Sequence, residues 1–287
     1  MFKHQGNKRN LRHNLKIASL LSFVAGLVNV AGFLAVQKLT TNVTGHFAFF
    51  VDEIFKLNFK QGFIYFLYIF FFFLGSFFSS LLVEFLLRKN EKYTYVIPTA
   101  IESIILFGIA VFGEHLIIQN PDFIAYTLLF AMGLQNSLVT KISNATVRTT
   151  HLTGLFTDLG IELSQLFFYH EDSFRKKLFV SIKLRMTIIS FFFTGGITGG
   201  IFYSNMGLHV LLIGVMALLL GLLYNRNLQY TNIDIEERNN MLEDIINKDT
   251  DNLRGTVILG FNLEYDTYPY SLVAGNLGTN LQDDLEL

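Results

Sequence analysis

The chain has 287 residues, 51% of them hydrophobic, with 31 Phe, 3 Pro and no Trp; a composition this apolar excludes an ordinary soluble globular domain and reads as an integral membrane protein. With no Cys, a disulfide framework, thiolate chemistry and Cys-ligated zinc are excluded. The net charge of −1 hides an asymmetry: the start is basic (Lys3, Lys8, Arg9, Arg12, Lys16) and the end acidic (Asp234, Glu236, Glu237, Glu243, Asp244, Asp283, Asp284, Glu286).

In chain order, a basic stretch over 1–14 precedes the apolar run Ile17–Val36. That run is too long for a signal-peptide core and no small-residue cleavage site comes after it, so a retained first helix is expected. Further runs at Gly62–Leu87, Tyr95–Phe112, Phe123–Thr140, Met186–Tyr203 and Gly207–Tyr224 bring the expected spans to six, each with enough apolar residues to cross a core of about 30 Å. After Arg226 the amphipathic IDIEERNNMLEDII (Ile233–Ile246) is expected as one helix, then a β-leaning TVILGF and otherwise largely disordered acidic chain.

The runs are punctuated by a repeated polar phrase. TTNVTGHF at Thr40–Phe47 recurs as TTHLTGLF at Thr149–Phe156; GLVN (Gly26–Asn29) and GLQN (Gly133–Asn136) precede them, and Glu53 and Glu162 each fall eight residues beyond the motif glycines Gly45 and Gly154. Preserved order points to a duplication, with one repeat over 15–118, a second over 119–225 and a tail over 226–287. The short stretches after each motif, Gly45–Leu57 and Gly154–Tyr169, are helical in pattern. Loop charge decides whether they cross, because Lys and Arg favour the cytoplasmic side. With the basic start inside and both short helices re-entrant, Arg88, Lys89, Lys92, Lys141, Arg148, Arg175, Lys176, Lys177, Lys183 and Arg185 all fall inside, and Glu114 and Asp122 outside. Lys38, Lys56 and Lys60 are left on the outer face, a smaller conflict than full crossing creates. The expected fold is therefore an all-α integral membrane protein with six transmembrane helices plus two short re-entrant helices, as two inverted three-span repeats. Both termini are expected in the cytoplasm.

Such broken segments build the substrate site in many secondary transporters. An extended Lys38–Thr44 descends about 20 Å and a helix from Gly45 to Lys56 climbs back about 17 Å, which sets the TG pair deep in the membrane, with Thr44 and Thr153 as expected N-caps. Free N–H groups at a helix start suit an anion or a carbonyl oxygen, so Thr44, Gly45, Thr153 and Gly154, with the amides Asn29 and Asn136, are binding candidates. Glu53, Glu102, Asp158, Glu162 and His151 are coupling candidates, because intramembrane carboxylates and imidazoles often carry protons or cations. His46 flanks the other motif tip. The competing reading of the same residues is packing and capping, with the carboxylates as interfacial partners of Arg148, Lys141 or Lys60, and Glu102 bonded to a motif hydroxyl. His151, Asp158 and Glu162 lack ligand spacing, so no metal is expected. Walker, GxGxxG, GxSxG and HExxH motifs are missing from the sequence, so neither a cofactor nor an enzyme is expected. The basic residues flank spans and do not form a nucleic-acid surface.

The segment GLQNSLVTKISNATVRTTHLTGLFTDLGIEL resembles the second signature of the YoaK-like family of bacterial multi-pass membrane proteins, and GLVNVAGFLAVQKLTTNVTGHF resembles its degenerate partner. The resemblance covers about residues 15–225; members often have Asp where this chain has Asn29, and TGN where it has TGH at His46. It implies a multi-pass plasma-membrane protein and no particular activity. The function expected is movement of a small solute, an anion or weak acid, between the two TG motifs. The alternative is a non-transporting scaffold or sensor acting through its acidic tail. Expected partners are the bilayer, a small solute or proton and, compatibly, further copies of the chain.

Overall fold

A computed structural model describes residues 11–89, 93–143, 147, 149–224, 257–262 and 271–276, and the chain divides into two compact units, Met1–Asn227 and Leu228–Leu287. The described secondary structure of the first unit is helical: α1 (Leu11–Val36), α2 (Thr44–Phe55), α3 (Phe59–Lys89), α4 (Val96–Gln119), α5 (Pro121–Ile142), α6 (Leu152–Phe168) and α7 (Asp172–Met206). A 3-10 turn at Gly207–Val210 leads into a last helix, α8, over 211–224.

Five helical stretches are long and apolar enough to cross a membrane: Asn14–Val36, Phe59–Lys89, Val96–Gln119, Pro121–Ile142 and the 53-residue run Asp172–Tyr224. Kept straight, the last would be about 80 Å long, more than twice the hydrocarbon thickness. It reverses at Gly207, whose φ of +53° suits only glycine without strain. α8 then returns beside α1. Gly214 faces Val24 and Leu27, Gly221 meets Leu20, and the Tyr224 hydroxyl accepts a hydrogen bond from Lys16 Nζ at 2.9 Å.

Two close parallel packings organise the unit. On α1 and α7, a Cβ added to Gly26 would lie 1.9 Å from the Phe192 carbonyl oxygen, and one on Gly195 would lie 2.0 Å from that of Phe23. On α5 and α3, Gly133 stands in the same way 2.1 Å from the Phe72 oxygen, and Gly75 2.0 Å from that of Phe130. Each set matches glycines to phenylalanine carbonyls in the same order, with α5 in the place of α1 and α3 in the place of α7. Small residues let membrane helices approach to backbone contact, where dispersion and weak polar contacts replace the absent hydrophobic drive. α1 and α5 themselves run antiparallel, Gln135 Nε2 donating to the Leu21 carbonyl at 2.9 Å while Gly32 lies against Leu128. These two helices hold about half of the core, including Leu21, Leu27, Leu128, Met132 and Leu138. By contrast α3 turns Phe63, Phe66, Phe70, Phe73 and Phe77 outward, an apolar stripe at helical spacing that suits lipid chains.

Helix limits differ from the apolar runs. α7 begins at Asp172, so Arg175, Lys176, Lys177, Lys183 and Arg185 lie on its opening turns and not in a loop; an acidic first-turn residue suits the helix start, and the helix continues beyond its apolar part. In the second unit, β1 (Val257–Asn262) pairs antiparallel with β2 (Ser271–Asn276), Val257 opposite Asn276 and Asn262 opposite Ser271. Its β-branched residues make VILGFN a strand former, so the β-leaning stretch of the tail pairs as a strand. The helix expected over Ile233–Ile246 lies outside the described residues.

Candidate functional site

α1 ends with Gln37 at φ +53°, a conformation uncommon for a residue with a Cβ, and the chain from there folds back along its own helix. Thr40 Oγ1 donates to the Val28 carbonyl at 3.2 Å, and Thr41 Oγ1 donates to Asn29 Oδ1 at 2.7 Å. Gly32 makes the room: a Cβ there would stand 2.5 Å from Thr40 Oγ1. Both threonines are buried, and their hydroxyls satisfy groups that would otherwise be stranded in an apolar interior. α2 then leads away from the turn into α3, with Gly62 seated on Ile54.

The second half repeats the construction. Asn136 Nδ2 donates to Thr150 Oγ1 at 2.5 Å, Thr149 Oγ1 donates to Asn136 Oδ1 at 3.2 Å, and Gln135 Nε2 donates to Thr149 Oγ1 at 3.1 Å. Ser143 Oγ accepts from the Val147 N–H at 2.9 Å. The GLxN asparagine thus bonds the second threonine of TTxxTG in both halves. Asn29 and Asn136, read from sequence as binding candidates, are the anchors of the two turns.

The TG pairs open the short helices, with a correction to their caps. α2 starts at Thr44 and α6 at Leu152, so Val43 and His151 occupy the cap positions, and neither makes a side-chain cap hydrogen bond. Thr44 and Thr153 are exposed residues inside the first turn. A long contact of 3.5 Å from the Gly45 N–H to Asn42 Oδ1 reaches the start of α2. Each glycine has a side chain close against it: a Cβ on Gly45 would stand 2.4 Å from Leu39 Cδ1, and one on Gly154 would stand 2.3 Å from the His151 ring, and either side chain would have to move aside.

His46 and His151, alike in sequence position, have different surroundings. His46 is buried, its Nε2 lies 2.6 Å from the Leu39 carbonyl oxygen, and its ring packs 4.6 Å from that of Tyr68, whose hydroxyl donates to Asp122. His151 is exposed.

Among the carboxylates, Asp158 and Glu162 share one face of α6 and both meet Arg185 of α7, at 2.9 Å to Nη1 and 2.9 Å to Nε respectively. Ser181 Oγ also donates to Glu162 at 2.6 Å. Among the described residues their partner is Arg185, and Lys141 reaches Glu84 at 2.6 Å; the Arg148 offered as a partner from sequence lies outside the described residues. Glu53 accepts from Asn58 Nδ2 at 2.8 Å in the turn after α2. Glu102, within α4, is fully buried, and both its oxygens lack a hydrogen-bond partner, which removes the expected bond to a motif hydroxyl. Among the described residues no group of three or more His, Asp or Glu side chains could hold a metal ion.

Thr40, Thr41, Gln135, Thr149 and Thr150 carry the turns, and reading the TG pair as the centre of each motif passes over them. The signal for them was present: TT stands at nearly the same distance after GLxN in both halves.

A bundle of long apolar helices with two polar turns folded into it defines a helical membrane protein. Residues 17–224 match the family described as a protein of unknown function, DUF1275, and the chain belongs to that family, with which its resemblance to the YoaK-like proteins is consistent. No curated protein and no solved structure matches the chain.

Proposed function

We propose that this is a six-span inverted-repeat protein of the bacterial plasma membrane, with α2 and α6 re-entrant and both termini cytoplasmic, that moves a small anion or weak acid along a path between the starts of α2 and α6. The carrying observation is the doubled, hydrogen-bonded turn, Thr41 on Asn29 and Asn136 on Thr150, in helices α1 and α5 that run in opposite directions. Irregular backbone is tolerated at membrane depth only where it is buried in protein or lines water. Two such turns entering from opposite sides are the usual frame of a transporter site. The reversal at Gly207 supports reading α7 and α8 as separate crossings, which brings the spans to six. Helix starts without side-chain caps at Val43 and His151 leave N–H groups for an anionic or carbonyl oxygen, at Thr44 on one side, beside the Gly45 N–H held by Asn42 Oδ1, and at Thr153 and Gly154 on the other.

The Cys-free chain makes the test direct. Single cysteines replacing Thr44 and Thr153 are expected to react with a small charged methanethiosulfonate while neighbours on the outward stripe, such as a cysteine at Phe70, do not. Protection of both sites removes the path. A second reading, in which the protein is a scaffold or sensor and its tail the working end, is favoured by one observation: the tail forms a compact unit of its own. Removing residues 228–287 separates the two, since a path should keep its cysteine reactivity and a sensor should lose its output.

A further inference from the structure

The buried residues of α4 are Pro98, Thr99, Glu102, Ser103, Leu106, Ile109, Ala110 and Gly113, a set at helical spacing that forms one inward face. Glu102 sits in the middle of it with no exposure. The hydroxyls beside it are committed to their own helix, Thr99 Oγ1 donating to the Tyr95 carbonyl at 2.8 Å and Ser103 Oγ to the Thr99 carbonyl at 2.8 Å, so neither donates to the carboxylate.

Ionisable groups on the elements packed against α4 are engaged elsewhere or lie toward helix ends. On α5, Asp122 accepts from Tyr68 of α3 and Lys141 pairs with Glu84 of α3; Tyr126 packs on Tyr68. On α3, Lys60, Arg88 and Lys89 lie in the terminal turns, and Tyr65 packs on His46 and Phe49. In the 3-10 turn, His209 faces Glu114, the next acid along α4, and His115 bonds Gln119. None of them hydrogen-bonds Glu102.

A carboxylate enclosed without a donor or a cation is the costliest arrangement an interior can hold, and removing that cost needs a bound cation. A metal ion needs a shell of several oxygens, and the described residues hold no acidic or imidazole cluster around this side chain. A proton needs one oxygen. The carboxyl is also peculiar to one half of the duplicated fold: α8, which closes the second half as α4 closes the first, reads LLIGVMALLLGLLY and has no acid or base before its terminal tyrosine.

We propose that Glu102 is the proton-binding group of the molecule, taking up a proton when enclosed as here and releasing it when the α4 face opens to water, so that proton and solute movement are coupled. This rests on the solute-path reading of the two turns. Of the five coupling candidates it selects the one that is both buried and without a partner: Asp158 and Glu162 are held by Arg185, Glu53 by Asn58, and His151 is exposed.

Dicyclohexylcarbodiimide is the probe, applied to the full-length wild-type protein. It reacts with a protonated carboxyl in an apolar site: the acid proton moves to a carbodiimide nitrogen, the carboxylate oxygen bonds the central carbon, and the acyl group then migrates to nitrogen as a stable N-acylurea. Peptide mapping is expected to find the adduct on Glu102 near neutral pH, with labelling falling at least about tenfold as pH rises to about 10, and not on the ion-paired Glu84, Asp158 or Glu162. Absence of the adduct at every pH overturns the proposal. Coupling is read separately, from the reactivity of the Thr44→Cys and Thr153→Cys proteins. The ratio of the two rates is expected to change at least about threefold between about pH 6 and about pH 9, and to become independent of pH when Glu102→Gln is added, with Glu102→Asp restoring the dependence. A ratio that changes equally with and without Glu102 also overturns the proposal. If both cysteines are protected, the path itself fails, whatever the labelling shows, so the two failures are told apart.

Discussion

The side chains of greatest consequence are small or singly bonded. A methyl on Gly26 or Gly133 has no room, since its carbon would fall about 2 Å from a phenylalanine carbonyl oxygen of the packed helix (1.9 and 2.1 Å). Gly26→Ala and Gly133→Ala are expected to push the paired helices apart and destabilise the protein by about 1 to 3 kcal/mol each, measured as a lower midpoint of thermal unfolding in detergent. Gly108, whose Cβ would meet nothing within 4 Å, is the matched control and should accept alanine without loss. The turn bonds are worth less individually: Thr41→Val and Thr150→Val each remove one hydrogen bond between a turn and the helix before it, expected to cost about 0.5 to 1.5 kcal/mol. Because each bond fixes a turn, the larger effect is expected in the cysteine reactivity of the same half, with the other half unchanged.

Short helices α2 and α6 are positioned by the long helices next in the chain, α3 and α7, as much as by the turns. α6 is tied to α7 through Arg185, which bridges Asp158 and Glu162. The Arg185→Gln protein is expected to free the start of α7 from α6 and raise proteolysis between Phe168 and Asp172 severalfold, whereas α2, whose nearest ion pair is the exposed Lys56 with Asp52, should be indifferent to Lys56→Gln. Exposed pairs contribute little, and a half-buried bidentate arginine contributes more. Much of this level was legible in the sequence. The apolar runs gave the long helices, and the ordered recurrence of GLxN, TTxxTG and glutamate located the two turns. Three things were hidden for physical reasons. Arg185 stands a whole loop and several turns beyond its acidic partners, so no spacing rule links them. The cap positions depend on where the backbone first becomes helical, which shifted the threonines inside the helices. The isolation of Glu102 is a property of its neighbours in space, and a sequence gives only its neighbours in order.

At the scale of the molecule, loop charge is the clearest test of orientation. A reporter fused after Lys89 is expected on the cytoplasmic side and one inserted at Asn120 on the outer side, measured with a phosphatase active only outside and a fluorescent protein that matures inside; the opposite pair would invert the whole arrangement. The pairing of long helices then determines which parts can stand alone. α1 lies on α7 and α5 lies on α3, so each glycine-to-carbonyl seam joins one half of the duplicated sequence to the other. Residues 1–118 and 119–287 expressed apart should each be degraded, and expressed together should recover a protein of full stability. A chain cut between its repeats thus loses the mate of every seam. If the molecule rocks, its rigid pieces are the mixed pairs α1 with α7 and α3 with α5, and the surface that slides between them is the antiparallel crossing of α1 and α5, where Gln135 holds Leu21 by a single amide.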